Sequence, residues 1–374
     1  MSGCTLDGMP EYERAMKRVD AWFHGAILDR VPVRFSRHNA QYDQVLQGDA
    51  RRWPTLKDRW LDAEYQVDSF LKSLEGQTFK GESFPVYWPN LGPDIYAAFF
   101  GCELEFGEVT SWSHPIIGDL SEGVSLQKPV FDPSHPYLQK LRQMTTLALE
   151  KCQGRALVGL TSWCPGIDCV AAWLGPENLC MSLLTEREQV KELLPLSMEP
   201  FRGMFDAFTD TIRGKGLPTL SWMGIPSEGA SHIAQADFSN MISPAQFEAF
   251  CLPSLREEIK GIERVIFHMD GKGVANHLDY LLSEADITAI QWAQGVGDDE
   301  PILQWIPLIR RIQAAGKSVV VDLKPHELEP FMEEIDPEGI FLCIAAQEYE
   351  QEAILRRLLK WSRASLSAGQ LRRS

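Results

Sequence analysis

The feature that most constrains the fold is a regular alternation of short apolar runs and helical stretches after about residue 136. Short apolar strands that alternate with amphipathic helices favour a parallel sheet covered by helices. With two more units from the N-terminal part, the pattern predicts a (β/α)8 barrel. The runs that predict strands lie at 156–160, 218–222, 264–269, 287–292, 317–323 and 339–344.

The region before residue 136 is less regular. It contains an amphipathic stretch at 12–23 that predicts a helix and an apolar run at 29–35 that predicts the first strand. We expect residues 1–374 to form a single α/β TIM-barrel domain, to which 1–135 contribute the first strands and lid-like insertions. An open doubly wound sheet is the alternative. No G-x-G-x-x-G follows a predicted strand, so a dinucleotide-binding fold lacks its usual motif.

Composition excludes several classes of function. The formal net charge of −16 disfavours nucleic acid as a partner, because phosphate binding needs a basic surface. There is no apolar run long enough for a membrane span and no apolar signal core near residue 1, so we expect a cytoplasmic protein. The eight cysteines form no C-x-x-C pair, which predicts reduced thiols.

Polar and aromatic side chains stand where the predicted strands end, and the carboxyl ends of the strands carry the active site in a barrel. His268 and Asp270 are two residues apart and therefore share one face of a strand. His268 is either a metal ligand or proton carrier, or a strand cap; Asp270 either assists it or forms an Asx turn. The other strand-end candidates are Trp163, Trp222, Gln291, Trp292, Asp322, Lys324 and Cys343.

A metal site is one interpretation of these strand ends. His268 and Cys343 supply two ligands, and Asp270 or Glu228 would complete a zinc site, since zinc usually takes at least three protein ligands. The alternative for Cys343 is a buried structural thiol.

Aromatic residues and one amide complete the candidate set. Trp112, Trp163, Trp222 and Trp292 either wall a large planar ligand or pack in the core. Asn90, in the Pro- and Gly-rich stretch PVYWPNLGPD, is either a polar anchor on a lid or a turn residue.

Three motifs carry a resemblance to a known family. They are DAWFHGAILDRVPV, DFSNMISPAQFEAFCLPSLREEIKG, which begins at Asp237, and FHMDGKG followed by ITAIQW. With them the chain resembles the uroporphyrinogen decarboxylase superfamily from about residue 12 to 362, which implies a (β/α)8 barrel and a ligand-binding role for Asp237. The decarboxylase branch carries an arginine-rich motif of the type RQAGRYLPEY. Here the stretch reads VPVRFSRHNAQYDQ and keeps only Arg34 and Arg37.

The resemblance is stronger to the corrinoid-dependent methyltransferase branch. Members that use coenzyme M bind zinc through His-x-Cys and a distant Cys. This chain has His268, Asp270 in place of the first cysteine, and Cys343. Other members lack the full motif and use tetrahydrofolate as methyl acceptor, and here Asp270, Gln291 and Asp322 would position its pterin ring. No D-x-H-x-x-G motif of a corrinoid-binding module is present, so the expected partner is a corrinoid protein in trans.

The resulting hypothesis is a monomeric or homodimeric methyltransferase that moves a methyl group between methylcobalamin, or a methylated corrinoid protein, and tetrahydrofolate or a thiol. His268, Asp270, Gln291 and Asp322 are its expected catalytic residues. Two alternatives remain: a decarboxylase or lyase that acts on a smaller acid, and a non-catalytic corrinoid- or ligand-binding protein.

Overall fold

Ten short strands organise the protein in the computed structural model, which describes residues 6–36, 52–118, 120 and 128–373. Arg37 lies outside these residues. The strands are β1 Val33–Ser36, β2 Val86–Tyr87, β3 Leu104–Phe106, β4 Ser111–Ser113, β5 Leu157–Val158, β6 Ser231–Gln235, β7 Arg264–Asp270, β8 Ala289–Ala293, β9 Ser318–Leu323 and β10 Ile340–Ala345.

Six of the strands form one parallel sheet in the order β1-β10-β9-β8-β7-β6. From β6 to β10 each strand therefore lies beside its neighbour in sequence, as expected when helices connect parallel strands. A second parallel pair joins β2 to β5, and β3 and β4 form an antiparallel hairpin. The fold is mixed α/β. Within the described residues, strand pairing does not join the sheets into a closed barrel.

Helices connect and cover these strands. No helix in the described part of the chain is both long and apolar enough to span a bilayer. The α-helices are Tyr12–Phe23, Leu56–Leu61, Ala63–Ser73, Ile95–Ala98, Pro136–Lys151, Ile167–Leu174, Pro176–Thr185, Arg187–Met198, Phe201–Arg213, Pro244–Gln246, Leu252–Ile259, Gly271–Ala275, Leu278–Ser283, Ile306–Ala314, Leu328–Glu334 and Glu348–Arg373. Shorter 3-10 turns lie at Asp237–Met241, Gly297–Asp299, Ile302–Trp305 and Pro325–Glu327, and a π-helical segment at Phe247–Cys251.

The sequence prediction was wrong for one of the strands. The run at 218–222 forms no sheet strand; Thr219 makes only an isolated antiparallel bridge with Ser227, and the strand that joins the sheet is β6. Before that run, two helices lie at Arg187–Met198 and Phe201–Arg213. Pro200 separates them because it has no amide hydrogen for the helical hydrogen bond to residue 196.

Alternation along the strands divides the core into two layers. Outward-facing residues such as Phe267, Ile290 and Val319 pack in the larger cluster, which includes residues of the surrounding helices. Inward-facing residues of the main sheet pack against Leu157 and against the N-terminal helix. These inward residues are Ile233, Ile266, Ala289, Val320, Phe341 and Cys343.

Candidate functional site

The site lies at the carboxyl end of the inward face of the main sheet. In β7, Ile266 belongs to the inner cluster, so His268 and Asp270 continue the same face toward the strand end. Strand register places His268 beside Gln235 of β6 and Gln291 of β8. The polar residues at these strand ends therefore meet each other.

His268 is held on two sides. Its Nδ1 lies 2.6 Å from Oε1 of Gln291. The ring of Trp222 meets the imidazole edge to face, with 5.2 Å between the ring centroids. His268 is half-buried, so part of its side chain is open to solvent.

Asp322 continues the contacts that begin at His268. Strand register pairs Cys343 with both Asp322 and Arg34, and Gln291 of β8 lies on the same inward face. Burial raises the pKa of Asp322, while the charge of Arg34 and the amide of Gln291 oppose that rise. Arg34 also donates to the carbonyl oxygen of Met223, so the guanidinium is anchored by the backbone. Burial raises the pKa of Cys343 to about 12, and its thiol therefore stays protonated at neutral pH.

Three side chains in the described ranges form a group that can hold a metal ion. One ligand atom each of Asp237, His268 and Asp270 lies within 4.8 Å of the others. Asp237 begins the 3-10 turn after β6, and Gln235 donates to its carboxylate at 3.1 Å. One imidazole nitrogen and two carboxylates are ligands that zinc and other divalent ions accept. Cys343 is not in this group; the place expected for it is taken by Asp237.

Asp168 holds the backbone next to Asp237 in place. The sequence analysis did not identify Asp168 as a site residue. From helix Ile167–Leu174 its carboxylate accepts hydrogen bonds from the backbone amides of Asp237 (3.0 Å) and Phe238 (2.9 Å). Burial, followed by the charge of Asp237, raises the pKa of Asp168 to about 7. Although the Asp237 side chain is exposed, partial desolvation by its surroundings and the charge of Asp270 raise its pKa to about 6. Two such carboxylates favour a bound cation or shared protons.

Two predicted aromatic residues lie away from the group formed by Asp237, His268 and Asp270. Trp163 is buried against Tyr96 and Phe208, and Trp292 packs on Trp305 with 4.8 Å between centroids. Trp292 follows Gln291 directly, so strand alternation turns it toward the helices.

The remaining predicted residues have other surroundings. The side chain of Asn90 accepts a hydrogen bond from the amide of Gly92 at 2.9 Å, as expected if Asn90 is a turn residue. Trp112 is partly exposed on β4, and Lys324 pairs with Glu300 at 3.0 Å. Glu228 requires a correction: it is exposed just before β6, at the amino ends of the parallel strands, so it cannot complete a site at their carboxyl ends.

Comparison with known proteins adds a fold relationship. No family model matches the chain, and no curated protein matches its sequence. The structure is similar to that of a methyltransferase from Methanosarcina mazei, at 12% sequence identity and a TM-score of 0.59, over 95% of this chain and 99% of that chain. A B12-independent methionine synthase from Shewanella sp. W3-18-1 has a TM-score of 0.30 at 12% identity, over 62% of this chain and 66% of that chain. The chain is therefore similar in overall fold to the Methanosarcina methyltransferase.

Proposed function

We propose that this protein is a corrinoid-dependent methyltransferase of the uroporphyrinogen decarboxylase superfamily. The observation that carries the proposal is the meeting of His268, Gln291 and Asp322 on one face at the strand ends, beside Asp237 and Asp270. The fold similarity to a methyltransferase over nearly the whole chain and the sequence motifs support it. The methyl donor would be a separate corrinoid protein, for which methylcobalamin can substitute in an assay.

The proposal includes a (β/α)8 barrel closed by the second pair of strands. Contacts at the β1 edge of the main sheet and beside β5 support it. At the β1 edge the amide of Glu82 donates to the carbonyl of Val33 at 2.8 Å. Next to β5 the amide of Leu160 donates to the carbonyl of Leu220 at 2.7 Å. Leu157 and Leu220 also pack in the same cluster as the inward face of the main sheet, as residues inside one barrel would.

Methyl transfer needs a positioned nucleophile and a route for its proton. The methyl group would move to N5 of tetrahydrofolate or to a thiol sulfur, the donor would keep the electron pair of its broken bond, and the acceptor would release one proton. Asp237 and Asp270 are the open carboxylates that would orient the acceptor or take the proton. Asp237, His268 and Asp270 would hold a divalent ion such as zinc, which when bound lowers the pKa of a coordinated thiol.

The test is a methyl-transfer assay without oxygen. Purified protein is mixed with methylcobalamin and either tetrahydrofolate or a simple thiol, and the corrin spectrum and methylated product are followed. We expect transfer to one acceptor, its loss in His268→Ala, and normal rates in His24→Ala. His24 is an exposed histidine beside Arg264, at the opposite end of β7. Tight corrin binding with no methylated product would instead indicate a binding protein.

A decarboxylase or lyase for a small acid is the second candidate. The observation that favours it is Arg34, a guanidinium close to Asp322 on the inward face, where it could meet a substrate carboxylate. Release of carbon dioxide from an acid substrate, with no methyl transfer to either acceptor, would support this candidate and contradict the methyltransferase.

A further inference from the structure

Asp322 and Gln291 lie between Arg34 and His268, and the chemistry of these side chains decides which group donates a hydrogen bond and which accepts. A guanidinium can only donate hydrogen bonds, and strand register pairs both Arg34 and Asp322 with Cys343, whose thiol is a further donor. Asp322 therefore lies among donor groups and near the positive charge of Arg34, an arrangement that suits a carboxylate acting as acceptor. Gln291, on the same inward face, then turns its NH2 group toward Asp322.

The direction of the Gln291 amide decides the state of His268. With its NH2 group on Asp322, Gln291 presents its carbonyl oxygen to Nδ1 of His268 at 2.6 Å. A carbonyl oxygen only accepts, so Nδ1 must carry the imidazole proton. In a neutral imidazole the proton on one nitrogen leaves a lone pair on the other, which here is Nε2. Trp222, packed against the ring, resists its rotation.

We propose that Asp322 and Arg34 are positioning residues which, through Gln291, hold His268 as the Nδ1–H tautomer with Nε2 free to bind in the group it forms with Asp237 and Asp270. This inference rests on the proposed role of His268 in the site. It extends that role by three residues that need not touch the acceptor. Outer partners of this kind fix the ring orientation of metal-binding histidines in general.

Nitrogen-15 NMR of the imidazole rings tests the proposal without any turnover. The protein is labelled at histidine, and the His268 signals are identified by their loss in His268→Ala. We expect a protonated Nδ1 and an unprotonated Nε2 in the wild type. His277 is an internal reference for the opposite tautomer, because its Nε2 donates to the carbonyl oxygen of Ser239 at 2.9 Å.

Variants of Asp322, Gln291 and Cys343 show which of these residues control the tautomer of His268. Asp322→Ala and Gln291→Leu should convert His268 to a mixture of tautomers and weaken Zn²⁺ binding about 10- to 100-fold, while the His277 signals stay in place and report a folded core. Cys343→Ser keeps a donor beside Asp322 and should leave the tautomer unchanged.

Two results would overturn the proposal: a wild-type His268 protonated on Nε2, or an Asp322→Ala variant with the wild-type tautomer. Because the spectra need no methyl donor, failure of the methyl-transfer assay and failure of this inference are separate outcomes.

Discussion

Asp237 is the residue whose position most changes the chemistry expected of the site. The sequence motif indicated that it binds a ligand, but Cys343 was the expected partner of His268 and Asp270. In the structure Asp237 joins them, whereas Cys343 lies with Asp322 and Arg34. A site with two carboxylates and one imidazole is harder than a thiolate site and has a different preference among metals.

This arrangement predicts the metal dependence of single variants. Asp237→Asn should weaken Zn²⁺ binding about 100-fold or more, because even outer partners of metal ligands contribute about 10- to 100-fold. Cys343→Ser should bind Zn²⁺ as the wild type does. Titration calorimetry on the three proteins measures both effects, and an equal loss in the two variants would restore Cys343 as a ligand.

Among the elements, the 3-10 turn Asp237–Met241 positions the site. Asp168 accepts hydrogen bonds from its first two amides, and His277 donates to the carbonyl of Ser239. His277 in turn stacks on Phe247 with 4.3 Å between ring centroids. The helix Gly271–Ala275, which follows β7, lies against the same turn: a Cβ on Gly273 would overlap Asn240. Close approach of the two elements therefore requires glycine at 273.

Gly273→Ala tests this packing. The added methyl group should displace the turn, lower the free energy of unfolding by about 1 to 3 kcal/mol and weaken Zn²⁺ binding. Gly203→Ala is the matched control, because a Cβ there meets nothing within 4 Å on an exposed helix face, and it should stabilise the protein by about 0.5 kcal/mol. Urea denaturation measures the free energy of unfolding of both variants. A Gly273→Ala protein as stable as the wild type would show that the turn can move to accommodate the methyl group, and would contradict the prediction.

On the scale of the whole molecule, the helix Tyr12–Phe23 packs against the amino end of the main sheet. Trp22 donates to the carbonyl of Gly339 just before β10 at 2.9 Å, and Ser318 of β9 donates to the carbonyl of Trp22 at 2.6 Å. Asp29 ties the helix to the chain leading into β1 by accepting from Arg14 at 2.8 Å and Arg18 at 2.7 Å. These contacts place the N-terminal helix opposite the candidate site.

Asp29 also predicts how stability depends on pH. Burial alone would raise its pKa, but hydrogen bonds and charges from Arg18 and Arg14 outweigh burial and lower the pKa to about 2. Because the folded pKa lies below the ordinary value of 3.8 for an aspartate, this stabilisation is fully present above about pH 5 and is lost as pH falls toward 2. Asp29→Asn should therefore reduce the free energy of unfolding at pH 7 by about 1 to 2 kcal/mol, with a difference that shrinks in acid.

Urea denaturation of the wild type and Asp29→Asn from pH 7 to pH 3 checks this prediction. Asp279→Asn is the control, because Asp279 pairs with Arg311 at an exposed position where ion pairs contribute little. A difference between wild type and Asp29→Asn that stays constant with pH would contradict the role of the ionised carboxylate.

Much of the candidate site could be predicted from local sequence. His268 and Asp270 lie on one face because strand side chains alternate with a period of two, whatever surrounds the strand. Gln291 and Asp322 were likewise found as strand ends. The strand β6 was missed because SHIAQ is not an apolar run. Its His232 is nevertheless buried, and its Nε2 lies 2.7 Å from a carboxylate oxygen of Glu258 on a covering helix.

The alternation of strands and helices, and the pairing of His268 with Asp270 on one face, were determined by the sequence, because both depend on periodicity over a few residues. Tertiary structure alone decided that Asp237 and Asp168 lie near His268 and Asp270, that Cys343 pairs with Asp322, and that Trp292 faces the helices. Those outcomes depend on the register between strands and on which face of the sheet is turned inward, and both are set by packing between residues far apart in the chain.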